Sequence, residues 1–154
     1  MKMKATESAQ MDKKISKYIK AQTALTMATS LDSIPYCATC FYAYIEEENL
    51  LIFKSDAETK HIADALSNNQ VAGSILVDKT EIGKIKGIQF NGTFLTPKDT
   101  QLKDAQKAYY FKYPYAAAMK GDLWAIELTS VKFTDNTLGF GKKLIWEKII
   151  DSPY

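Results

Sequence analysis

Few side chains in this sequence are of kinds that do chemistry, and their spacing restricts what they can do. Cys37 and Cys40 form a C-x-x-C pair, the spacing of redox dithiols and of half a zinc site. Both lie in an uncharged run that reads as a strand. There, residues three apart face opposite sides and stand ~10 Å apart, whereas a disulfide needs Cα atoms within ~7 Å. With no second cysteine pair, the two are expected to be small buried hydrophobes. His61 is the one histidine of the chain. It has no partner at metal-ligand spacing and is expected to face solvent near the start of a helix. Glu46, Glu47 and Glu48 read as a solvated hairpin tip, and Glu127 as a half-buried residue on the outer face of an apolar strand.

The segment Ser55-Asp56-Ala57-Glu58-Thr59-Lys60 carries more information. It joins a strand to a helix, and Ser55 with Glu58 has the spacing of a capping box. The same residues also offer an anion site: two hydroxyls, one lysine and the unpaired N–H groups of a helix start can hold a phosphate. Asp56 and Glu58 oppose a dianion unless they point away. From residue chemistry alone the cap is favoured over the anion site.

Positioning these residues falls to a strand-rich chain. Residues 11–21 show helical apolar spacing with lysines on the wet side, and 23–30 read as a strand. A turn at 31–33 leads to a long strand over 36–45, with apolar or aromatic side chains on both faces. Such a strand has a core on one side and a helix, a second subunit or a flat ligand on the other. Further strands are expected at 50–53, 71–77, 87–95, 123–133 and 139–149, and helices at 58–68 and 100–112, the last stopped by Pro114. Short connections favour antiparallel pairing, and closure would remove exposed sheet edges. The expected fold is mainly β, of the α+β kind: an antiparallel barrel of about six to seven strands with three flanking helices.

The bulk numbers agree with one domain. The chain has 154 residues, 46% of them hydrophobic, and a net charge of +2. It is expected to form a single domain over 1–154, with 1–8 frayed. No apolar run approaches the ~18 residues of a membrane span, and the polar N-terminus has no signal-peptide core, so a cytoplasmic location is expected. No dense basic block argues for nucleic acid or a membrane surface as partner. All 20 basic residues are lysines. Bidentate arginine recognition of phosphate is therefore impossible, and any phosphate must rest on lysine, hydroxyls and backbone N–H groups.

Several stretches together resemble the FMN-binding split-barrel superfamily, the pyridoxamine 5′-phosphate oxidase-like proteins. They are Leu25-Thr26-Met27-Ala28-Thr29 after an opening helix, Pro35 entering an apolar strand, Leu51-Ile52-Phe53-Lys54-Ser55 followed by Thr59-Lys60, and a helix ending in Asn68-Asn69 before Val71. The run from Lys132 to Lys143, KFTDNTLGFGKK, is similar to the C-terminal signature of the YhbP-like bacterial branch of that superfamily. The likeness spans roughly residues 12–148.

The resemblance implies FMN as cofactor, its phosphate held by Ser55, Thr59 and Lys60, and Gln89 facing the isoalloxazine ring. It also implies a two-fold dimer whose interface holds the flavin, with Trp124, Phe140, Lys143 or Trp146 reaching toward the partner's site, although plain core packing is expected of both tryptophans. The function it suggests is an FMN-dependent oxidoreductase acting on a small molecule. The alternative is a non-catalytic flavin- or haem-binding protein on the same dimeric barrel. Pyridoxamine phosphate oxidases hold the phosphates of flavin and substrate with arginine, so that particular activity is not expected of this chain.

Overall fold

Asp32 and Ser33 both take left-handed φ angles, 51° and 62°. Two such residues make the tight turn whose twist matches the flanking strands. They fold β1 (Ala24–Leu31) back on β2 (Ile34–Ile45), with eight residue pairs in register from Leu31↔Ile34 to Ala24↔Phe41. The computed structural model describes residues 10–138 and 142–149. Its remaining elements are α1 (Lys13–Ala21), β3 (Leu50–Ser55), α2 (Lys60–Ser67), β4 (Gln70–Leu76), β5 (Lys86–Leu95), α3 (Asp99–Lys112), β6 (Asp122–Asp135) and β7 (Lys143–Glu147).

The seven described strands form one antiparallel sheet in the order β3-β2-β1-β4-β5-β6-β7, and β3 pairs again with β6. Six strands thus close on themselves, and β7 extends the sheet from the far end of β6. The length of β6 makes this possible: Asp122 to Glu127 pair with β3, while Ser130 to Thr134 pair with β7. Closure hides the edges that an open sheet would expose. Two close approaches demand glycine. A Cβ on Gly73 would lie 2.3 Å from the Thr26 carbonyl oxygen, and one on Gly92 would lie 2.4 Å from Ile126 Cγ2. Gly92 sits where the β5–β6 register shifts, a bulge that bends the strand and helps closure.

Alternation assigns the core. Leu25 and Met27 of β1, Tyr42 and Tyr44 of β2, Leu51 and Phe53 of β3, and Trp124, Ile126 and Leu128 of β6 all point into the barrel. The amphipathic helix α1 closes one mouth with Ile15, Tyr18 and Ile19. There the Tyr18 hydroxyl donates to the carbonyls of Ile75 and Lys86. Helix α2 lies across the other mouth, burying Ile62 and Ala65. Helix α3 covers one outer flank, where Tyr109 and Ala105 pack on Ala43, Ile52 and Ala125.

This arrangement corrects two expectations. The strand read as buried on both faces is so only in its C-terminal part, where α3 covers Ala43. The outward residues Cys37, Thr39 and Phe41 are exposed; among the described residues α3 reaches only as far as Phe41, whose ring lies 5.9 Å from that of Tyr113. Cys37 is accordingly not a buried hydrophobe, although Cys40 is. The final strand is described only over Lys143–Glu147. Phe140 and the residues expected to fray at the N-terminus lie outside the described residues. No described helix is long and apolar enough to cross a membrane.

Candidate functional site

The junction between β3 and α2 does not form the expected cap. Helix α2 begins at Lys60, and the side chain of its N-cap, Thr59, makes no capping bond. Asp56 turns the chain by accepting the Glu58 amide on its carboxylate at 3.0 Å, while its carbonyl accepts the Thr59 hydroxyl at 2.8 Å. Ser55 is thereby released from the capping-box role. As the last residue of β3 it stands at the barrel mouth, its carbonyl accepting the Trp124 indole N–H at 2.9 Å. Its hydroxyl lies 2.7 Å from His61 Nε2 and 3.4 Å from the Thr59 hydroxyl. The structure therefore gathers Ser55, Thr59 and His61 at the start of α2. There the first-turn N–H groups have no intrahelical acceptor and the helix dipole favours negative charge.

His61 is the residue that sequence reasoning missed. It was expected to face solvent, yet it is half-buried, and burial lowers its pKa below the ordinary imidazole value, partly offset by nearby Asp64. Its position one residue into the helix returns the ring toward Ser55, six residues earlier. Only the tight Asp56 turn makes that possible.

Lys60 is placed beside the cluster, but its charge is shared. Its ammonium contacts both carboxylate oxygens of Asp64, at 3.1 and 3.0 Å, and lies 5.0 Å from the centre of the Tyr36 ring. Asp64 is buried, 3% exposed, and also accepts the Thr29 hydroxyl at 3.0 Å. The Lys60 hydrogen bonds hold its carboxyl below the usual range. The acidic neighbours do not crowd the hydroxyls. Asp56 points to Lys120 at 2.8 Å, and Glu58 is exposed.

Tyr36 stands beside this cluster at the start of β2, on the face opposite to that of the next residue. Its neighbour Cys37 lines an open groove of about 570 Å³ on the outer face of the sheet, floored by Ala28, Ala72 and Ser74 and bordered by Gln89 and Asn91. Gln89 is exposed and pairs with Ser74, which pairs with Thr26 and so with Thr39. That puts it three strands, roughly 14 Å, from β2. Lys143 stands on β7, paired with Thr134. It shares the outer face with Ile145 of the groove but is not part of the Ser55 cluster. Trp124 and Trp146 are core residues, each 6% exposed. Among the described residues no group of three or more His, Cys, Asp or Glu side chains gathers to hold a metal ion.

No family model matches the chain. It is, however, 37% identical over 146 residues to a UPF0306 protein of Photorhabdus laumondii, a match covering 95% of this chain and 100% of the relative. The chain belongs to the UPF0306 family. The UPF0306 barrel is also similar to several solved structures. A haem-binding protein from Mycobacterium smegmatis gives a TM-score of 0.71 at 12% identity, covering 83% of this chain and 54% of that one. A FAD-binding protein from Mesorhizobium loti gives 0.64 at 17% identity, covering 79% and 92%. A pyridoxamine 5′-phosphate oxidase-related, FMN-binding protein from Nostoc punctiforme gives 0.65 at 10%, covering 91% and 93%. These likenesses establish the split-barrel fold of the pyridoxamine 5′-phosphate oxidase type.

Proposed function

We propose that this UPF0306 chain binds a flavin, FMN in the first instance, at a two-fold dimer interface and serves as an oxidoreductase for a small molecule. The observation that carries the reading is the uncapped start of α2. Hydroxyls of Ser55 and Thr59, the ring of His61 and first-turn amides that have no intrahelical acceptor converge there, near the exposed outer face of β2 at Cys37 and Thr39. A phosphate belongs at such a helix start, and a flat ring system belongs in a groove of small and apolar residues with a few polar groups.

Donor chemistry fits a phosphomonoester. Neutral donors and one partly neutralised lysine replace the arginines that this chain lacks. The solved relatives in this fold, whose names record haem, FAD and FMN binding, support a planar cofactor. A bound flavin supplies hydride and electron transfer. This chain's residues would hold its phosphate at Ser55, Thr59 and Lys60, direct the Gln89 amide at its ring and exclude water. A second copy laid over Tyr36, Cys37 and the groove would complete the enclosure, with its Lys143 brought to the first copy's site.

Absorbance of the purified protein, with titration by FMN, FAD, riboflavin and haem, tests this. A flavin band or saturable FMN binding is expected; failure to bind any flavin would overturn the proposal. A Soret band on haem addition without flavin binding would replace it by the haem reading. Bleaching of bound FMN by NADH or NADPH, followed by reoxidation with an acceptor, separates an enzyme from a carrier.

A further inference from the structure

We propose that His61, rather than Lys60, supplies the positive charge of the phosphate cradle, and that anion binding there is coupled to uptake of one proton by its imidazole. This rests on the reading of the Ser55 junction as a phosphate site and adds how the site is charged and regulated.

Charged groups reach the surroundings of His61 from several elements. On its own helix, Lys60 is paired with the buried carboxylate of Asp64. On the preceding turn, Asp56 is paired with Lys120, and Glu58 adds a negative charge at the surface. From β3, Lys54 turns away to the Tyr110 hydroxyl and the Ala116 carbonyl. From β1 and β2 the facing groups, Thr29 and Tyr36, are neutral. Lys60 and Lys120 are thus paired with carboxylates, Lys54 keeps its charge but turns away, and β6 sets the acidic Asp122 opposite Ser55, so a phosphate dianion meets no surplus positive charge. His61 is the one group in contact with Ser55 that can gain a charge near neutral pH. Burial lowers its pKa and so favours the neutral ring, and a dianion beside it would favour the imidazolium.

The 2.7 Å contact between Ser55 and His61 gives protonation a second effect. When Nε2 is the acceptor, the Ser55 hydroxyl donates to it and its proton is used within the protein. When the ring is protonated, Nε2–H donates and the Ser55 oxygen accepts. The hydroxyl proton is then released to donate to a phosphate oxygen. One proton therefore provides both a charge and a donor, and a charge-assisted bond is about twice as strong as a neutral one.

The sign follows from linkage. Binding that takes up a proton weakens as pH rises through the imidazole's range, by up to about tenfold per pH unit. Titration of the wild-type protein with FMN and with riboflavin, between about pH 6.5 and 8.5 around the imidazole range, should show FMN affinity falling with pH and riboflavin affinity unchanged. His61→Gln should bind FMN more weakly and abolish the slope, which controls for ionisation of the phosphate itself. A flat FMN profile in the wild type, or a slope retained in His61→Gln, would overturn the proposal.

A second measurement uses the fact that His61 is the sole histidine, so its NMR signal is unambiguous. Its titration midpoint should rise when inorganic phosphate is added. If no flavin binds but phosphate moves the midpoint, the proton-linked cradle stands and the flavin reading falls. An unmoved midpoint overturns the cradle.

Discussion

Asp64 shows how one buried side chain sets the character of its surroundings. Its carboxylate, 3% exposed, is held by Lys60 and Thr29, so it anchors α2 to β1 while taking up the charge of the nearest lysine. Because Lys60 holds the folded-state pKa below the ordinary value of 3.8, the ionised form stabilises the fold above that value, and the contribution is lost as pH falls through the lower folded value. Asp64→Asn should therefore lower the melting temperature at neutral pH, and its deficit relative to wild type should shrink in acid below about pH 4. Thermal unfolding followed by circular dichroism across that range checks it; a deficit independent of pH would mean that the Asp64 charge contributes nothing.

Among the elements, the β1–β2 hairpin presents the bare face, and its turn is not built from the residues its geometry prefers. Ser33 occupies a left-handed position, φ 62°, that costs a non-glycine residue about 1–2 kcal/mol. Ser33→Gly should raise stability by roughly 0.5–1 kcal/mol, the strain relieved less the extra freedom glycine gives the unfolded chain. Urea unfolding measures this as a higher midpoint at unchanged slope. The helices divide their labour by position. Helix α1 closes one mouth, α3 shields one flank, and α2 closes the other mouth while exposing its first turn. The candidate site lies on α2 because that helix start follows directly on β3, with Lys60 set over the Tyr36 ring at the start of β2.

At the scale of the whole molecule, two properties follow from the barrel. Its interior and its α3 flank hold tyrosines whose hydroxyls donate to carbonyls: Tyr18 to Ile75 and Lys86 and Tyr42 to Ile19 inside, and Tyr113 to Thr23 and Tyr42 on the flank. Burial raises all three, Tyr18 from 10.0 to about 12, and Tyr42 and Tyr113 further. Their neutral forms stabilise the fold fully below pH 10, and this contribution is lost as pH climbs from the unfolded tyrosine value through the raised folded ones. A cooperative alkaline transition is expected, with tyrosinate absorbance and loss of circular dichroism coinciding. Gradual ionisation near pH 10 without unfolding would contradict it. The second property is the uncovered outer face. Ile145 is 58% exposed beside the groove, and Ile145→Glu leaves the barrel interior untouched. If this face is the dimer interface, the variant should shift toward monomer mass in light scattering and lose flavin affinity with it. A wild-type monomer, or a variant with unchanged mass and affinity, would remove the interface from this face.

The sequence by itself determined the barrel, because strand alternation and turn residues are local signals. Outward Gln89 and Asn91 and inward Ile88 and Phe90 follow from parity alone. It also determined what the site cannot use, since a chain without arginine must hold a phosphate in some other way. It marked Ser55, Thr59 and Lys60 as a candidate anion site, yet favoured a helix cap. Only the tertiary structure set the cap aside, because the competing partners are distant in the chain. Lys60 is claimed by Asp64, which also accepts the hydroxyl of Thr29, 35 residues away. Ser55 is turned to His61 by the Asp56 loop and fixed at the mouth by Trp124, 69 residues on. Cys37 is exposed because β2 outruns the helix that covers its other end. Period and composition report which face a residue takes. They do not report what lies against that face, and in this molecule the charge state of the cradle depends on those neighbours.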